Sequence, residues 1–252
     1  HRDLHSFPTR RSSDLVKAEK ITTDVFGNFY LTQGNYIQKY NSNGKLQASF
    51  SSPFLGRPAY ADATNPLRIL VFYASFNKIQ WLDNSMSEFG QAVDLNEILQ
   101  EQAAWVCSSS KGGFWALSEL SGKLFYFSEN LSAKISQPLS EDCFLQTRKI
   151  AGMIEKNERL LIQCTDGTIL CYDLFGNILK KFAPGFSTGF QFENGKIWNF
   201  GSRSVSLIDL ETKETRMFVV PVADENSIMR IENQHIYILK QGLLEIYKMK
   251  FE

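Results

Sequence analysis

The chain lacks any long apolar run and any excess of charge of one sign. Its 252 residues carry 27 Lys and Arg against 27 Asp and Glu, which gives a formal net charge of zero. A balanced chain has no general attraction to nucleic acid or to an anionic membrane surface. No uncharged apolar run reaches the length of about 18 residues that a membrane helix needs, so the sequence predicts no membrane span. With 43% hydrophobic and 13% aromatic residues, the composition suits a packed core.

Histidine is scarce, and this excludes several kinds of catalytic site. Of the three histidines, His1 and His5 lie in an N-terminal segment that is set apart below, which leaves His235 beside an apolar run. A multi-histidine metal site or a His-pair mechanism cannot be built from one side chain. A serine triad is excluded for the same reason, and no G-x-S-x-G segment occurs. Gly-rich phosphate loops and the D-x-D-x-D-G calcium loop are absent as well.

The four cysteines follow no metal or redox pattern. Cys107, Cys143, Cys164 and Cys171 show no C-x-x-C spacing and have no histidine companions. Cys164 and Cys171 flank Asp166-Gly167, and a two-residue turn there would put their sulfurs on diagonal positions, too far apart for an easy disulfide. The sequence therefore predicts buried free thiols at these two positions.

The first fifteen residues have the character of an added segment. HRDLHSFPTRRSSDL resembles the in-frame translation of a sequencing-adapter oligonucleotide. We interpret residues 1–15 as a non-native, adapter-derived and disordered segment, and residues 16–252 as a single domain. The start, His1-Arg2-Asp3-Leu4, imitates the catalytic loop of a protein kinase, but Pro8 stands where a kinase has Asn.

A hairpin unit between residues 159 and 182 is the strongest structural signal. Two apolar runs are separated by Asp166-Gly167, and a third follows Gly176-Asn177. Asp-Gly between β-rich runs favours a tight turn, because both residues tolerate a positive φ. The segment therefore predicts three short antiparallel strands.

This unit occurs six times along the chain. Its third strand ends at Asn41, Asp83, Ser128, Asp173, Asp209 and Lys248, at intervals of 42, 45, 45, 36 and 39 residues. A period near 40 with four short strands per unit predicts an all-β fold, a β-propeller, because each blade buries its faces only against neighbouring blades. The sixth unit lacks a fourth strand, so we expect six four-stranded blades in which N- and C-terminal strands close the last blade, with residues 16–20 as its outer strand.

Two other local patterns predict specific elements. Residues 68–73 show no polar alternation, which indicates a strand that is covered on both faces. The longer connections at residues 94–102 and 140–146 begin like short helices, the first with Asp94 as its cap.

A propeller can bring oxygen ligands from several blades into its central channel. The set that the sequence offers lies near the ends of the predicted innermost strands: Asp24, Asp62, Asn65, Glu155 and Glu193. Carboxylate and amide oxygens are calcium ligands, and a divalent ion held there would polarise a substrate carbonyl. The alternative for these residues is that they are solvated strand ends and turns, which Asp and Asn favour for backbone reasons.

Aromatic and arginine residues leave two further possibilities open. Trp81, Trp105, Trp115 and Trp198 lie next to apolar neighbours, which favours packing between blades, whereas carbohydrate recognition would require at least one exposed Trp. Arg57 and Arg68 flank a proline-containing segment, where they either line a binding face or cap carbonyls at a blade end.

The first unit contains a series of residues at characteristic spacings, namely Asp24, Gly27, Asn28, Tyr30, Ile37, Lys39, Tyr40 and Gly44. They match the pattern D-x-x-G-N-x-[FY]-[VL] followed by I-x-K-[FY]-x-x-x-G-[KN], so the unit resembles NHL-type propeller repeats. More broadly, LGRPAYADATNPLRILVFYASFNKIQWLDNSM and most of the chain from Ile21 resemble an uncharacterised family of Bacteroidetes propeller proteins. That resemblance implies a periplasmic or envelope-associated protein of a Gram-negative cell, and it provides no catalytic residues.

Two functions therefore remain open. The favoured one is a monomeric, non-enzymatic interaction module without a cofactor, which binds a protein or an envelope ligand. The alternative is a metal-dependent propeller hydrolase or lactonase with calcium as the candidate ion. The alternative requires three or more of the five candidate residues to meet at one end of the channel.

Overall fold

The computed structural model describes residues 11–12, 17–139 and 150–249. These residues form 24 β-strands, one four-residue α-helix, α1 (Leu95–Ile98), and one three-residue 3₁₀ helix (Ala74–Phe76). The strands make six antiparallel sheets of four strands each. In five sheets the strand order follows the chain, so that each sheet is a simple meander.

The first three blades have the following strands. Blade 1 contains β2 (Lys20–Thr23), β3 (Phe29–Gln33), β4 (Tyr36–Tyr40) and β5 (Leu46–Ser51). Blade 2 contains β6 (Tyr60–Asp62), β7 (Ile69–Tyr73), β8 (Lys78–Leu82) and β9 (Val93–Asp94). Blade 3 contains β10 (Ala103–Ser108), β11 (Phe114–Ser118), β12 (Lys123–Phe127) and β13 (Ala133–Pro138).

The last three blades follow the same plan. Blade 4 contains β14 (Ile150–Lys156), β15 (Arg159–Cys164), β16 (Ile169–Tyr172) and β17 (Ile178–Phe182). Blade 5 contains β18 (Gly189–Glu193), β19 (Lys196–Phe200), β20 (Ser204–Asp209) and β21 (Thr215–Val219). Blade 6 joins β22 (Ile228–Glu232), β23 (His235–Lys240) and β24 (Leu243–Lys248) to β1 (Arg11–Ser12). The predicted six-bladed β-propeller is confirmed.

An N-terminal strand closes blade 6, as predicted, but it lies upstream of the expected residues. Arg11 pairs with Ile246 and Ser12 with Glu245, whereas Lys20 already begins the first strand of blade 1. Two residues of the segment that we interpret as adapter-derived thus take part in the last blade. The rest of the predicted disordered segment outside Arg11–Ser12, and the predicted helical turn at residues 140–146, lie outside the described residues.

The chain divides into two compact units. The first unit comprises residues 1–58, 84–87 and 187–252, and the second comprises residues 59–83 and 88–186. Apolar clusters lie between neighbouring blades within each unit, because a four-stranded sheet cannot bury both of its faces alone. In the second unit, one cluster joins blades 2 and 3 and another joins blades 3 and 4. In the first unit, the clusters join blade 6 to blade 5 and to blade 1.

The second strands of blades 2 and 3 lie deep in these cores. All five residues of β7 and all five of β11 are buried, which confirms the strand covered on both faces that residues 68–73 predict. The outer strand β21 keeps four of its five residues exposed. The outer strand β21 is thus largely solvent-exposed, whereas β7 and β11 are fully buried.

The turn at Asp166-Gly167 is one residue longer than predicted. Cys164 N–H donates to Thr168 O at 2.8 Å and Gly167 N–H donates to Cys164 O at 2.9 Å, which closes a three-residue turn. A two-residue type I′ turn needs positive φ at both central residues, and here only Gly167 has it, at +84°. Gly167 is also required sterically, because a Cβ there would lie 1.8 Å from Gly185 O.

The cysteine prediction is partly wrong. Cys171 is free and buried, as predicted, and so is Cys107. Cys164 is disulfide-bonded, and its partner lies outside the described residues. Cys164 and Cys171 are not bridged to each other, but the predicted diagonal geometry is wrong. Leu161 pairs with Cys171 and Cys164 lies opposite Thr168, so the two cysteine side chains lie on opposite faces of the sheet.

Helix α1 confirms the first of the two predicted helical connections. Asp94 caps it by accepting a hydrogen bond from Asn96 N–H at 3.0 Å, and Leu95 and Leu99 are buried in the core between blades 2 and 3. In the described part of the chain, no helix is long and apolar enough to cross a membrane.

Deleting residues 1–15 tests their contribution to blade 6. A two-residue pairing contributes about 1 kcal/mol, because each hydrogen bond adds only about 0.5 to 1.5 kcal/mol net. For a domain of this size we expect the melting temperature to fall by about 2 to 4 °C. The double substitution Arg11→Pro/Ser12→Pro, which keeps the segment but blocks pairing, is the control and is expected to give the same decrease. A decrease of more than about 10 °C after deletion would show that the segment is an integral part of the core.

Candidate functional site

Each blade presents its loops at two opposite edges. Because neighbouring strands are antiparallel, the loops after the first and third strands share one edge, which we call the first-turn edge. The loop after the second strand shares the other edge, the second-turn edge, with the connection to the next blade. Asp24, Asp62, Glu155 and Glu193 all lie at or near the first-turn end of the innermost strand of their blades.

The five candidate ligands are divided between the two units. Asp24 and Glu193 belong to the first unit, and Asp62, Asn65 and Glu155 belong to the second. Asp24, Asp62 and Glu155 are buried rather than solvated, whereas Asn65 is exposed and Glu193 is half-buried. The buried members differ in their partners, which are described next.

Asp24 organises the first turn of blade 1. Its Oδ1 accepts hydrogen bonds from Phe26 N–H and Asn28 N–H, at 2.9 and 3.0 Å. Its Oδ2 accepts from Asn28 Nδ2 at 2.9 Å and from the Tyr30 hydroxyl at 2.8 Å. The pKa of Tyr30 is raised far above its ordinary value, first by burial and then by this hydrogen bond and the charge of Asp24. Four donors occupy this carboxylate, so its role here is to hold the turn.

Asp62 links blade 2 to blade 3. Its Oδ1 accepts from Thr64 N–H at 2.9 Å within its own turn. Its Oδ2 accepts both the N–H and the hydroxyl of Ser108, at 2.8 and 2.6 Å, and Ser108 is the last residue of β10. With 3% of its surface exposed, this carboxylate replaces lost hydration with three hydrogen bonds.

Glu155 links blade 4 to the other side of blade 3. Its Oε1 accepts the N–H and the hydroxyl of Ser110, at 2.9 and 2.5 Å. Its Oε2 accepts from Trp115 Nε1 at 2.6 Å, and Glu155 itself is 2% exposed. Blade 3 is therefore held between two buried carboxylates, one from each neighbouring blade. We call Asp62, Ser108, Ser110, Trp115 and Glu155 the carboxylate clamp.

Cys107 lies within the clamp but is not a nucleophile. Burial raises the pKa of its thiol well above the ordinary value, and the negative charges of Asp62 and Glu155 raise it further. The thiolate is the reactive form of cysteine, so a fully buried thiol of this kind remains inert at neutral pH.

The described parts of the chain contain no group of side chains arranged for metal binding or for histidine-based catalysis. Residues 17–139 and 150–249 contain no group of three or more His, Cys, Asp or Glu side chains placed to hold a metal ion. His235 is half-buried, and its Nδ1 lies 2.8 Å from Asn233 O, which ties the ring to the neighbouring turn. Asn65 and Glu193 hold turns: Asn65 Oδ1 accepts from Leu67 N–H, and Glu193 pairs with Lys196 across a tight hairpin.

The tryptophans do not form an exposed platform. Trp81 and Trp115 are buried, and Trp105 and Trp198 are half-buried. Trp105 packs on Tyr60 with a ring-centroid separation of 5.1 Å. The exposed Trp that carbohydrate recognition would require is therefore not found, and the packing prediction agrees with these positions.

Arg68 lies over two aromatic rings at the first-turn edge of blade 2. Its guanidinium carbon is 4.3 Å from the centroid of Trp81 and 5.8 Å from that of Phe89. Its Nη1 donates to Glu129 Oε1 of blade 3 at 2.5 Å. In the first unit, Arg57 forms an ion pair with Glu19. Both arginines thus bind carboxylates rather than backbone carbonyls.

Large apolar side chains are exposed on the loops of the second unit. The first-turn edge exposes Leu67, Phe89, Leu131 and Phe175, and the second-turn edge exposes Phe76, Leu120 and Phe186. Turn tips normally carry Gly, Asn, Asp or Ser, so apolar residues there mark surfaces available to a partner.

Sequence reasoning missed the donors of the clamp and these exposed tips. The run Ser108-Ser109-Ser110, which begins at the last residue of β10, is the sequence signal for a cluster of hydroxyl donors. The exposure of Leu120 follows only once the turn at residues 119–122 has been placed between β11 and β12.

No protein-family model and no curated protein matches the chain. Among solved structures, the chain is similar to a streptogramin B lyase, with 13% identity, a TM-score of 0.66, and coverage of 96% of this chain and 98% of the lyase. It is similar to the Pan2 WD40 domain of Neurospora crassa, with 10% identity, a TM-score of 0.60, and coverage of 94% and 90%. It is also similar to BBS1N crystallised in complex with ARL6DN, with 11% identity, a TM-score of 0.60, and coverage of 92% and 78%. At such identities the likeness shows the propeller fold alone.

Substitution of the clamp carboxylates tests their structural role. Each of the substitutions Asp62→Asn and Glu155→Gln replaces one acceptor oxygen with an NH₂ donor. In Asp62→Asn this donor can face Thr64 N–H, and in Glu155→Gln it can face Trp115 Nε1. We expect each variant to lose about 1 to 3 kcal/mol of unfolding free energy, because buried donors are left unpaired. Urea unfolding followed by tryptophan fluorescence measures this loss.

The matched control is Glu158→Gln, because Glu158 is exposed on the turn that follows β14. It is expected to change the unfolding free energy by less than about 0.5 kcal/mol. An unchanged urea midpoint in Glu155→Gln would show that the clamp does not stabilise blade 3.

Proposed function

We propose that this chain is a non-enzymatic binding module that recognises a protein or an envelope ligand through the loops of its blades. One observation carries the proposal: the carboxylates that could perform chemistry, Asp62 and Glu155, are buried, and their oxygens accept hydrogen bonds from blade 3 and, for Asp62, also from Thr64 of its own turn. The side chains that reach solvent at the loops include large apolar groups, which bind partners rather than react.

Two of the solved propellers support a protein partner. BBS1N was crystallised in complex with another protein, ARL6DN, and the Pan2 structure is a WD40 domain. The streptogramin lyases point to enzymatic use of the same fold, and a virginiamycin B lyase from Staphylococcus aureus is described as catalytically inactive after a His-to-Ala substitution. In this chain the described histidine, His235, is tied to a backbone carbonyl of its own turn, which favours binding over lyase chemistry.

The proposal includes the origin of the chain. The pattern at Asp24, Gly27, Asn28 and Tyr30 supports an NHL-like repeat, and the wider resemblance supports a Bacteroidetes protein of the periplasm or envelope. The protein would act as a monomer without a cofactor, and residues 1–15 would be an adapter-derived addition.

Affinity capture with the full chain as bait, after crosslinking in the source cells, tests the binding function. We expect at least one protein or envelope component to be enriched at least about tenfold over the tag alone, which corresponds to a specific free-energy difference of about 1.4 kcal/mol. Excess untagged chain must compete the captured component away. If no component is both enriched and displaced, the binding module is rejected.

Thermal unfolding in EDTA and in millimolar calcium tests the hydrolase alternative. A ligand at a hundredfold excess over its dissociation constant stabilises the folded state by about 2.7 kcal/mol, which raises the melting temperature by several degrees. We expect the two melting temperatures to agree within about 1 °C. A clear increase in calcium would place a metal in the propeller and favour the hydrolase or lactonase function.

A further inference from the structure

The second turns of blades 2 and 3 carry apolar tips. Phe76 ends a short 3₁₀ turn between β7 and β8, and Leu120 lies between β11 and β12 with 82% of its surface exposed. The corresponding turns of the other four blades, at residues 34–35, 165–168, 201–203 and 241–242, contain only Gly, Asn, Asp, Thr, Ser, Arg and Gln. Two adjacent blades of the same unit therefore depart together from ordinary turn chemistry.

Hydrogen bonds join these two turns into one surface. Gln102 Nε2 donates to Ala74 O at 2.8 Å in the turn that carries Phe76. The carbonyl of Gln102 accepts from Glu119 N–H at 2.8 Å, directly before Leu120. The connection that contains α1 is fixed to the same edge, because Asn77 Nδ2 donates to Glu101 O at 2.9 Å. The turns that carry Phe76 and Leu120 are thus fixed by hydrogen bonds to backbone carbonyls.

The remaining charge of this surface is negative. Glu97 on α1 and Glu119 are exposed, and neither forms an ion pair with a described residue. Each of the two lysines near this surface has a carboxylate neighbour. Lys78 pairs with Asp94 at 3.1 Å, and Lys123 lies close to Glu101, whose pKa is lowered chiefly by hydrogen bonds from Ser118 and Ser121 and also by this charge. We call Phe76, Glu97, Gln102, Glu119 and Leu120 the acidic-apolar surface.

We propose that the acidic-apolar surface binds a short protein segment in which apolar side chains are flanked by Lys or Arg. This inference rests on the proposed binding function and specifies its partner. Apolar side chains of the bound segment cover Phe76 and Leu120. The carboxylates of Glu97 and Glu119 attract the positively charged residues that flank them and repel acidic segments. Gln102, which bridges the two turns, keeps Phe76 and Leu120 at a fixed spacing.

A defined peptide probe tests this surface directly. The probe is a fluorescein-labelled 12-residue peptide with three Leu or Phe residues and four Lys residues, and its affinity for the full chain is measured by fluorescence anisotropy. We expect saturable binding that weakens at least about tenfold when the four Lys are changed to Glu, and that weakens as salt rises from 50 to 500 mM, since exposed charges are screened.

Variants of the surface locate the binding. Phe76→Ser/Leu120→Ser and Glu97→Lys/Glu119→Lys are each expected to weaken peptide binding at least about tenfold. The matched control is Leu67→Ser/Phe175→Ser, because these side chains are 64% and 67% exposed at the opposite edge of the same unit. Circular dichroism melting checks that all three variants fold.

Three results would overturn the inference. These are no saturable binding of the basic peptide, equal binding of the Glu peptide, or unchanged binding in both surface variants. A concentration-dependent dimer that Phe76→Ser/Leu120→Ser abolishes would identify a second copy of the chain as the occupant instead.

The crosslinking capture separates this inference from the binding function itself. If Phe76→Ser/Leu120→Ser captures the same component as the unaltered chain, the binding function stands and the partner surface lies elsewhere. If the unaltered chain captures nothing, the proposed binding function is rejected, and the proposed partner of the acidic-apolar surface is rejected with it.

Discussion

Burial of sheet faces against neighbouring sheets is the constraint on which this fold depends. A four-stranded blade has two apolar faces and no internal means of covering them, so each unit is stable only as a stack of adjacent blades. The cores between blades 2 and 3 and between blades 3 and 4 show the result, with fully buried strands β7 and β11 at their centres. Interior positions are therefore committed to packing, and any binding role is left to the loops at the blade edges.

The hydrogen bonds of the carboxylate clamp fix the relative position of neighbouring blades, which apolar packing alone does not specify. Apolar faces can slide against each other, but Asp62 and Glu155 each accept hydrogen bonds from fixed donors of blade 3. A buried carboxylate without these donors would carry a large desolvation penalty, so the bonds specify one relative position of the blades. The same hydrogen bonds give two of the candidate ligand residues a structural role as links between blades.

The sequence predicts the repeat well and the site poorly. Alternating apolar runs and turn residues repeat at intervals near 40, and the third strands end within one residue of the predicted positions. Local errors arise where one conformational detail decides. At Asp166-Gly167 only Gly167 has a positive φ, which does not suit a two-residue type I′ turn, and the observed three-residue turn pairs Cys164 with Thr168 rather than Ile169. The partner of a side chain such as Glu155 comes from a different repeat, 45 residues away at Ser110, and no local pattern encodes such a distance.

By itself, the sequence determined the strand content, the number of blades, and the lack of a histidine cluster or a Gly-rich phosphate loop in the given residues, because these depend on residue types and short-range periodicity. Only the tertiary structure decided that Asp24, Asp62 and Glu155 are buried and saturated with donors. It also decided that Phe76 and Leu120 reach solvent on the surface that carries Glu97 and Glu119, which form no ion pair with a described residue. The burial of a side chain and its hydrogen-bond partners depend on which repeats become neighbours, and that is decided only when the blades pack together.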